Sequence, residues 1–257
     1  MILTLSLLKM ISFNNIGHMG RLGNQMFQYA ALKGIAKHKG YWYSIPSNTS
    51  LSECFQIPET LSNNNHKVVS VDKFEFDDEF FNRCPDDVDI VGYFQSEKYF
   101  KHIEQEIRQD FTFYDIIYNT CTHYRSNIFS NEELISLHIR RTDYLTDSNF
   151  VCLSLDYYIN ALKLLPNLHV MIFSDDTDWC KEHFTEDRFT ISLSNNPHVD
   201  LCLMTMCDYH IISNSSFSWW GSWLAKSKKT IAPQKWFCGQ FENYNTKDLY
   251  LPEWVII

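Results

Sequence analysis

The sequence predicts an α/β protein made of two domains with parallel sheets, and three observations carry that prediction. In the second half, short apolar runs of strand length alternate with amphipathic stretches of helix length. The links between them are short, as expected when helices cover both faces of a parallel sheet. Near the amino end, a glycine-punctuated turn joins an apolar run to a long helical pattern. A chain of 257 residues fits one large or two small domains. The boundary is placed at residues 128 and 129, giving domains 1–128 and 129–257; a single α/β domain with a long insertion is the competing arrangement.

Taken in order, a strand is expected near Met10–Asn14. The turn Gly17-His18-Met19-Gly20-Arg21-Leu22-Gly23 follows, then a helix from about Asn24 to Lys39. Met26, Phe27, Ala30, Ala31 and Ile35 recur there at helical spacing, and Gly40 supplies a stop. Tyr41–Ile45 reads as the next strand. From Leu51 to Tyr124 the pattern is irregular, with a polar loop at Ser62–Asn65 and a helix expected over Glu97–Arg108. The second half is more regular. Strands are expected at Leu134–Ile139, His169–Phe173, Phe189–Leu193, Tyr209–Ile212 and Thr230–Ala232. Helices are expected at Ser154–Leu165 (with Ser154 as N-cap), Thr177–Phe184, Asp200–Cys207 and Ser216–Lys226.

Composition narrows the function classes. The chain is 45% hydrophobic and 16% aromatic, ample for a core, with no long polar tract. A formal charge of −9 argues against general binding to nucleic acid or a membrane surface, while leaving room for a local basic pocket. The cysteines Cys54, Cys84, Cys121, Cys152, Cys180, Cys202, Cys207 and Cys238 form neither CxxC pairs nor zinc-finger spacings, and no HExxH occurs. They read as mostly reduced, half-buried thiols. Met1–Phe13 is apolar but interrupted by Lys9, short of the roughly 20 apolar residues of a membrane span. It reads as a buried strand, or as an extension ahead of a start at Met10. The expectation is a cytoplasmic protein with at most peripheral membrane association.

Polar clusters fall where ligands bind in such folds, outside the carboxyl ends of strands. His138-Ile139-Arg140-Arg141-Thr142-Asp143 ends an apolar strand. Alternation sets His138 and Arg140 on one face and Ile139 on the other. Paired arginines present forked donors to phosphate oxygens, with Asp143 able to hold one of them; a surface ion pair is the plain alternative. Ser174-Asp175-Asp176 follows the next strand, where one carboxylate is expected to cap a helix and a magnesium site is the sharper alternative. Ser213-Asn214-Ser215-Ser216-Phe217 opens a helix whose amino end offers N–H groups to an anion or is simply capped by serine. Trp219, Trp220 and Trp223 behind it read as core. At the glycine turn, Asn24 and Gln25 either cap the helix or touch ligand.

Four segments occur together: GRLGNQMFQYAA (Gly20–Ala31), HIRRTDY (His138–Tyr144), FSDD with Trp179 nearby (Phe173–Asp176) and SNSSFSWWGSWLA (Ser213–Ala225). In order and content they resemble the α-1,2-fucosyltransferase family, glycosyltransferase family 11. The HxRRxD core is shared more widely with α-1,6- and protein O-fucosyltransferases; the first and last segments narrow the match. The resemblance implies two Rossmann-like domains in the B-type glycosyltransferase architecture. It implies transfer of L-fucose from GDP-β-L-fucose to the 2-hydroxyl of a terminal galactose with inversion, with no cofactor and no required metal. Donor binding falls on His138, Arg140, Arg141, Asp175, Asp176, Asn214, Ser215, Ser216 and Phe217. Asp200, sixteen residues before Ser216, matches the guanine-reading carboxylate of the α-1,6 enzymes; by local sequence it serves equally as a helix cap. Gly23, Asn24 and Gln25 are expected toward the acceptor. Arg140 and Asp143 are the catalytic candidates. The stretch where the α-1,6 enzymes carry a Glu base reads Tyr144-Leu145-Thr146-Asp147-Ser148, leaving Asp147 as base candidate. The partners implied are GDP-fucose and a galactose-containing oligosaccharide. Product linkage separates this reading from α-1,6 or protein O-fucosylation, and a turnover assay separates it from a non-catalytic sugar-nucleotide-binding module.

Overall fold

The computed structural model describes residues 9–58, 60, 67–129 and 132–257. The expectations for the segment ahead of Lys9 and for the loop Ser62–Asn65 lie outside the described residues. The chain divides into two compact units. One holds the described residues up to Thr112 together with Lys247–Leu249; the other holds Phe113–Thr246 and Tyr250–Ile257.

In the first unit the elements are β1 (Met10–Ser12), α1 (Leu22–Lys39), β2 (Trp42–Ser44), α2 (Ser50–Cys54), β3 (Lys67–Ser70), α3 (Asp78–Arg83), β4 (Val88–Val91) and α4 (Glu104–Asp110). The strands form a parallel sheet in the order β2-β1-β4-β3. Helix α1 begins two residues earlier than its sequence pattern suggested. Arg21 is its N-cap residue, so Asn24 and Gln25 lie inside the helix and do not cap it. Gly40 terminates it in the left-handed conformation at φ 67°, which glycine adopts without steric cost. The helix expected over 97–108 is broken: 3-10 turns occupy Glu97–Tyr99 and Lys101–Ile103, and α4 starts only at Glu104. The break falls at Phe100, fully buried with its ring 6.4 Å from that of Phe27. Placing that ring in the core overrides the local helical pattern.

The second unit contains α5 (Asp115–Phe129), β5 (Leu134–Ile139), α6 (Leu155–Leu162), β6 (His169–Ser174), α7 (Thr177–His183), β7 (Phe189–Ile191), α8 (Pro197–Thr205), β8 (Tyr209–Ile211), α9 (Ser216–Ala225), β9 (Lys229–Ala232) and β10 (Val255–Ile256). Its six-stranded parallel sheet runs β10-β9-β8-β5-β6-β7. Counted from β5 this is the doubly wound order 3-2-1-4-5-6 turned end for end, and the strand order reverses between β5 and β8. All six residues of β5 are buried. Ile135, Leu137 and Ile139 join one core cluster with Tyr158, Ala161 and Leu162 of α6. His138 points the other way, as alternation requires, toward Ser213 and Phe217.

Helix α8 starts at Pro197, three residues before the expected Asp200. The Asn196 side chain caps it by accepting from His198 N–H at 2.9 Å, and proline at N1 sacrifices no hydrogen bond. The capping alternative for Asp200 is therefore set aside. Ser154 sits at the N-cap position of α6 without a side-chain bond. Trp219, Trp220 and Trp223 are core, as read. All eight cysteines are free thiols; six are buried outright, and only Cys152 and Cys238 are half-buried. Among the described residues no helix is long and apolar enough to cross a membrane.

Gly34 shows how tightly α1 is seated. A Cβ there would stand 2.0 Å from the Tyr99 carbonyl oxygen. Alanine normally stabilises a helix interior over glycine by about 1 kcal/mol. Here Gly34→Ala is expected to destabilise the protein, by about 1–3 kcal/mol of overpacking. Urea unfolding measures it; a raised midpoint would mean that α1 and the Glu97–Tyr99 turn are not in close contact.

Candidate active site

The register of β5 on β6 pairs His138 with Phe173 and Ile139 with Ser174. The next residues outward are Arg140 and Asp175, and they meet. One terminal nitrogen of Arg140 (Nη1) lies 2.9 Å from Asp175 Oδ2, and the other (Nη2) donates to Asp143 Oδ2 at 2.5 Å. Asp175 also accepts from the Arg141 backbone N–H at 2.9 Å and from the Thr142 hydroxyl at 2.6 Å. Burial alone would raise the Asp175 carboxyl. The Thr142 and Arg141 hydrogen bonds and the Arg140 charge outweigh it and hold the carboxyl below its ordinary value.

Arg141 turns elsewhere. Its Nε donates to Asp176 Oδ2 at 3.0 Å, Nη1 reaches Cys152 Sγ at 3.9 Å, and its guanidinium carbon lies 4.2 Å over the Trp179 ring. Asp176 in turn caps α7 by accepting from Trp179 N–H at 3.2 Å, the capping role expected for one member of the pair. Among the described residues no group of three or more His, Cys, Asp or Glu side chains is arranged to hold a metal ion.

Across the strand-order reversal, β8 leads into Ser213, Asn214 and the amino end of α9. Ser215 is the N-cap, its hydroxyl accepting from Phe217 N–H at 3.3 Å. The Asn214 side chain is turned inward, donating to the carbonyls of Val151 and Trp236. His138 bridges the two strand ends. Its Nδ1 is 2.8 Å from Ser213 Oγ and its ring centroid 5.7 Å from that of Phe217. Burial first, and the Arg140 charge second, lower its pKa to about 3, so the imidazole is neutral at physiological pH. The carboxyl ends of β5 and β8 thus present a held guanidinium, a neutral imidazole and the amino end of a ten-residue helix. Fixed donors of this kind suit a phosphorylated ligand.

A model of glycosyl transferase family 11 matches residues 4–257. The chain belongs to glycosyltransferase family 11. Its relatives in that family include an α-1,2-colitosyltransferase of Escherichia coli, 32% identical over 293 residues and covering 93% of this chain and 96% of that protein. The galactoside α-(1,2)-fucosyltransferase 2 of Oryctolagus cuniculus is 25% identical over 272 residues, covering 93% and 75%. In fold, this family 11 chain resembles the NodZ α-1,6-fucosyltransferase soaked with GDP-fucose, at a TM-score of 0.62 and 13% identity over 88% of this chain and 95% of that one. The two Rossmann-like units are those of a B-type glycosyltransferase.

In this glycosyltransferase the structure brings Arg140, Arg141, Asp143, Asp175 and Asp176 into one ion-pair network; His138 meets the Phe217 ring, Ser215 and Ser216 open α9, and the Asn214 side chain is turned inward. Asp200 lies apart on α8. Its Oδ1 accepts from Ser192 Oγ at 2.6 Å and Ser194 Oγ at 2.7 Å, and burial outweighs these bonds to raise its carboxyl. Asp147 is exposed, its Oδ1 accepting from Asn149 N–H at 2.9 Å. Gly23, Asn24 and Gln25 belong to the first unit, where Asn24 Oδ1 accepts from Gln95 Nε2 at 2.7 Å and Gln25 is buried. An open depression lined by Glu132, Glu133, Asn167, His169 and Arg188 lies at the opposite, amino-terminal edge of β5–β7, and its mixed charges favour no single ligand class. Sequence reasoning missed Thr142, Tyr144, Ser192 and Ser194. The first two sit inside the quoted HIRRTDY segment, which was a usable signal; the two serines had none.

The neutral His138 has a consequence for stability. An unfolded histidine titrates near pH 6.5, whereas the folded His138 titrates at about 3. Between those values the unfolded chain binds a proton that the native state refuses, so stability is lost as pH falls below about 6.5. Replacement of His138 by Asn should make unfolding free energy less steep in pH between 6.5 and 5, by up to about 1.4 kcal/mol per pH unit. Urea unfolding at several pH values reads this, and an unchanged slope would mean that His138 titrates normally in the fold.

Proposed function

We propose that this family 11 glycosyltransferase transfers L-fucose from GDP-β-L-fucose to the 2-hydroxyl of a terminal galactose, with inversion and without a metal ion. The observation that carries the reading is the Arg140 guanidinium, held by Asp143 and Asp175 and linked through Tyr144 to Asn214, the residue before the N-cap of α9. Fucosyl transfer passes through an oxocarbenium-like state as negative charge grows on the β-phosphate of GDP. Arg140 and the α9 N–H groups supply the stabilisation that a divalent cation supplies elsewhere. Neutral His138 adds no competing charge and orients its neighbours through Ser213. Asp200 is the carboxylate offered to guanine: Ser192 and Ser194 both donate to its Oδ1, which leaves Oδ2 to accept from a ring donor. The acceptor hydroxyl gives up its proton as the glycosidic bond forms, and Asp147 is the carboxylate offered to receive it. The α-1,2 linkage in the names of both relatives supports the regiochemistry.

A second donor is favoured by one finding, the 32% identity to the colitosyltransferase. Colitose is L-fucose without its 3-hydroxyl, so the two sugars differ at one position.

The test is incubation with lactose and either GDP-fucose or GDP-colitose in excess EDTA, followed by product mass and linkage analysis. Transfer from GDP-fucose to the galactose 2-hydroxyl is expected. A different linkage, preference for colitose, or activity lost in EDTA and restored by Mg²⁺ would each overturn the corresponding part of the proposal. Arg140→Lys is expected to lower turnover roughly ten- to a thousandfold although the charge is kept, because lysine cannot reproduce the planar fork. Near wild-type turnover in steady-state kinetics would reduce Arg140 to a structural ion pair.

A further inference from the structure

We propose that Tyr144 is a positioning residue for the diphosphate site, its ring supporting the Arg140 guanidinium and its hydroxyl tying that guanidinium to the main chain of the Ser215–Ser216 turn. The proposal rests on the reading of Arg140 and that turn as the phosphate-binding groups.

The geometry places Tyr144 between the two halves of the site. The Arg140 guanidinium carbon lies 5.6 Å from the centroid of the Tyr144 ring, within the range of a cation–π contact. The Tyr144 hydroxyl donates to the Asn214 carbonyl oxygen at 3.1 Å. Asn214 immediately precedes Ser215, the N-cap of α9. One side chain therefore touches the charged group at the end of β5 and the backbone that sets the amino end of α9.

Both attachments are themselves held. The Phe150 ring stacks on Tyr144 at 4.7 Å and 18°, and Phe150 forms an antiparallel bridge with Phe237, whose ring is 5.5 Å away. The Asn214 amide donates to the Val151 and Trp236 carbonyls, which fixes the carbonyl that Tyr144 grips. Burial drives the Tyr144 phenol well above its ordinary pKa, so the hydroxyl stays a donor.

The plane of a guanidinium decides whether it can meet two phosphate oxygens at once. Asp143 and Asp175 grip Arg140 at its terminal nitrogens, at the edge of the plane. Edge contacts leave the plane free to tilt about the line that joins them. The Tyr144 ring restrains that tilt, and its hydroxyl keeps the restraint in register with the helix end. Tyr144 acts through these groups and supplies no chemistry of its own.

The experiment compares the full-length wild type, Tyr144→Phe and Tyr144→Leu. GDP affinity is measured by calorimetry, and guanosine binding by ligand-observed NMR. Guanosine lacks the phosphates, so a defect in the phosphate site spares it, whereas general damage weakens both ligands. Tyr144→Phe keeps the ring and loses one neutral hydrogen bond, so the GDP dissociation constant should rise about fivefold. Tyr144→Leu also loses the ring, and a rise of about thirtyfold or more is expected. Guanosine affinity should stay within about twofold in both, well inside the tenfold that 1.4 kcal/mol represents. If Tyr144→Leu does not fold, Tyr144→Phe decides alone. Unchanged GDP affinity in the folded variants, with a wild type that binds GDP, or parallel losses of GDP and guanosine, would overturn the positioning role. A wild type that binds no GDP would overturn the phosphate-site reading and this inference with it.

Discussion

The register of β5 on β6 determines where charge can gather in the second unit. Ile139 opposite Ser174 is the last rung of the ladder, and Arg140 and Asp175 are the first residues free of it. A slip of one residue would carry Arg140 to the apolar face and bring Ile139 to the polar one. The slip is prevented by what lies beneath, since Ile135, Leu137 and Ile139 are fully buried against α6. The hydrophobic core of the unit thus places the charged groups at its rim. Asp175 then gathers three donors, from Arg140, Arg141 and Thr142, and so joins the ends of two strands.

The adjacent arginines divide the work by facing apart. Arg141 is committed to Asp176, Cys152 and the Trp179 ring, and so braces the loop. Arg140 is gripped at its terminal nitrogens and still borders the strand-order reversal. Three carboxylates, Asp143, Asp175 and Asp176, surround the two guanidiniums. Asp143 is the more exposed of the two carboxylates that hold Arg140. Its side chain is 46% exposed, against 19% for Asp175. Asp175, the more buried partner, also takes the Arg141 N–H and the Thr142 hydroxyl, so it fixes the guanidinium to both strand ends.

Legibility in the sequence followed unbroken apolar runs rather than burial itself, since β4 is mostly buried but interrupted by Asp89. The strands β5 and β6 read clearly because both are continuous apolar runs, and α9 because a serine cluster precedes a tryptophan-rich stretch. The faces of His138 and Ile139 followed from alternation alone. Strand β3 was not legible, since its residues are largely exposed and it has only four of them; β10 has two and depends on pairing with β9. Helix α5 buries only Cys121 and Phe129 of its fifteen residues, too few for a periodic stripe. At the site, residue identities and partners close in sequence could be read, Asp143 for an arginine and one of the Asp pair as a helix cap, whereas distant partners could not. Asn196 followed by Pro197 is a local helix-start signal that the expected start at Asp200 passed over; nothing local indicated that Asp200 would take Ser192 and Ser194, or that Tyr144 would reach the Asn214 carbonyl.

The central claim is that the strand reversal between β5 and β8 holds a guanosine diphosphate. Thermal unfolding of the unmodified protein with GDP and with UDP, at equal concentration and in EDTA, addresses it most directly, because a ligand of the native state raises the unfolding temperature according to its affinity. GDP should raise it, and UDP, which carries the same diphosphate but lacks the paired ring donors of guanine, should raise it clearly less. Equal protection by the two nucleotides, or none by GDP, would contradict the account.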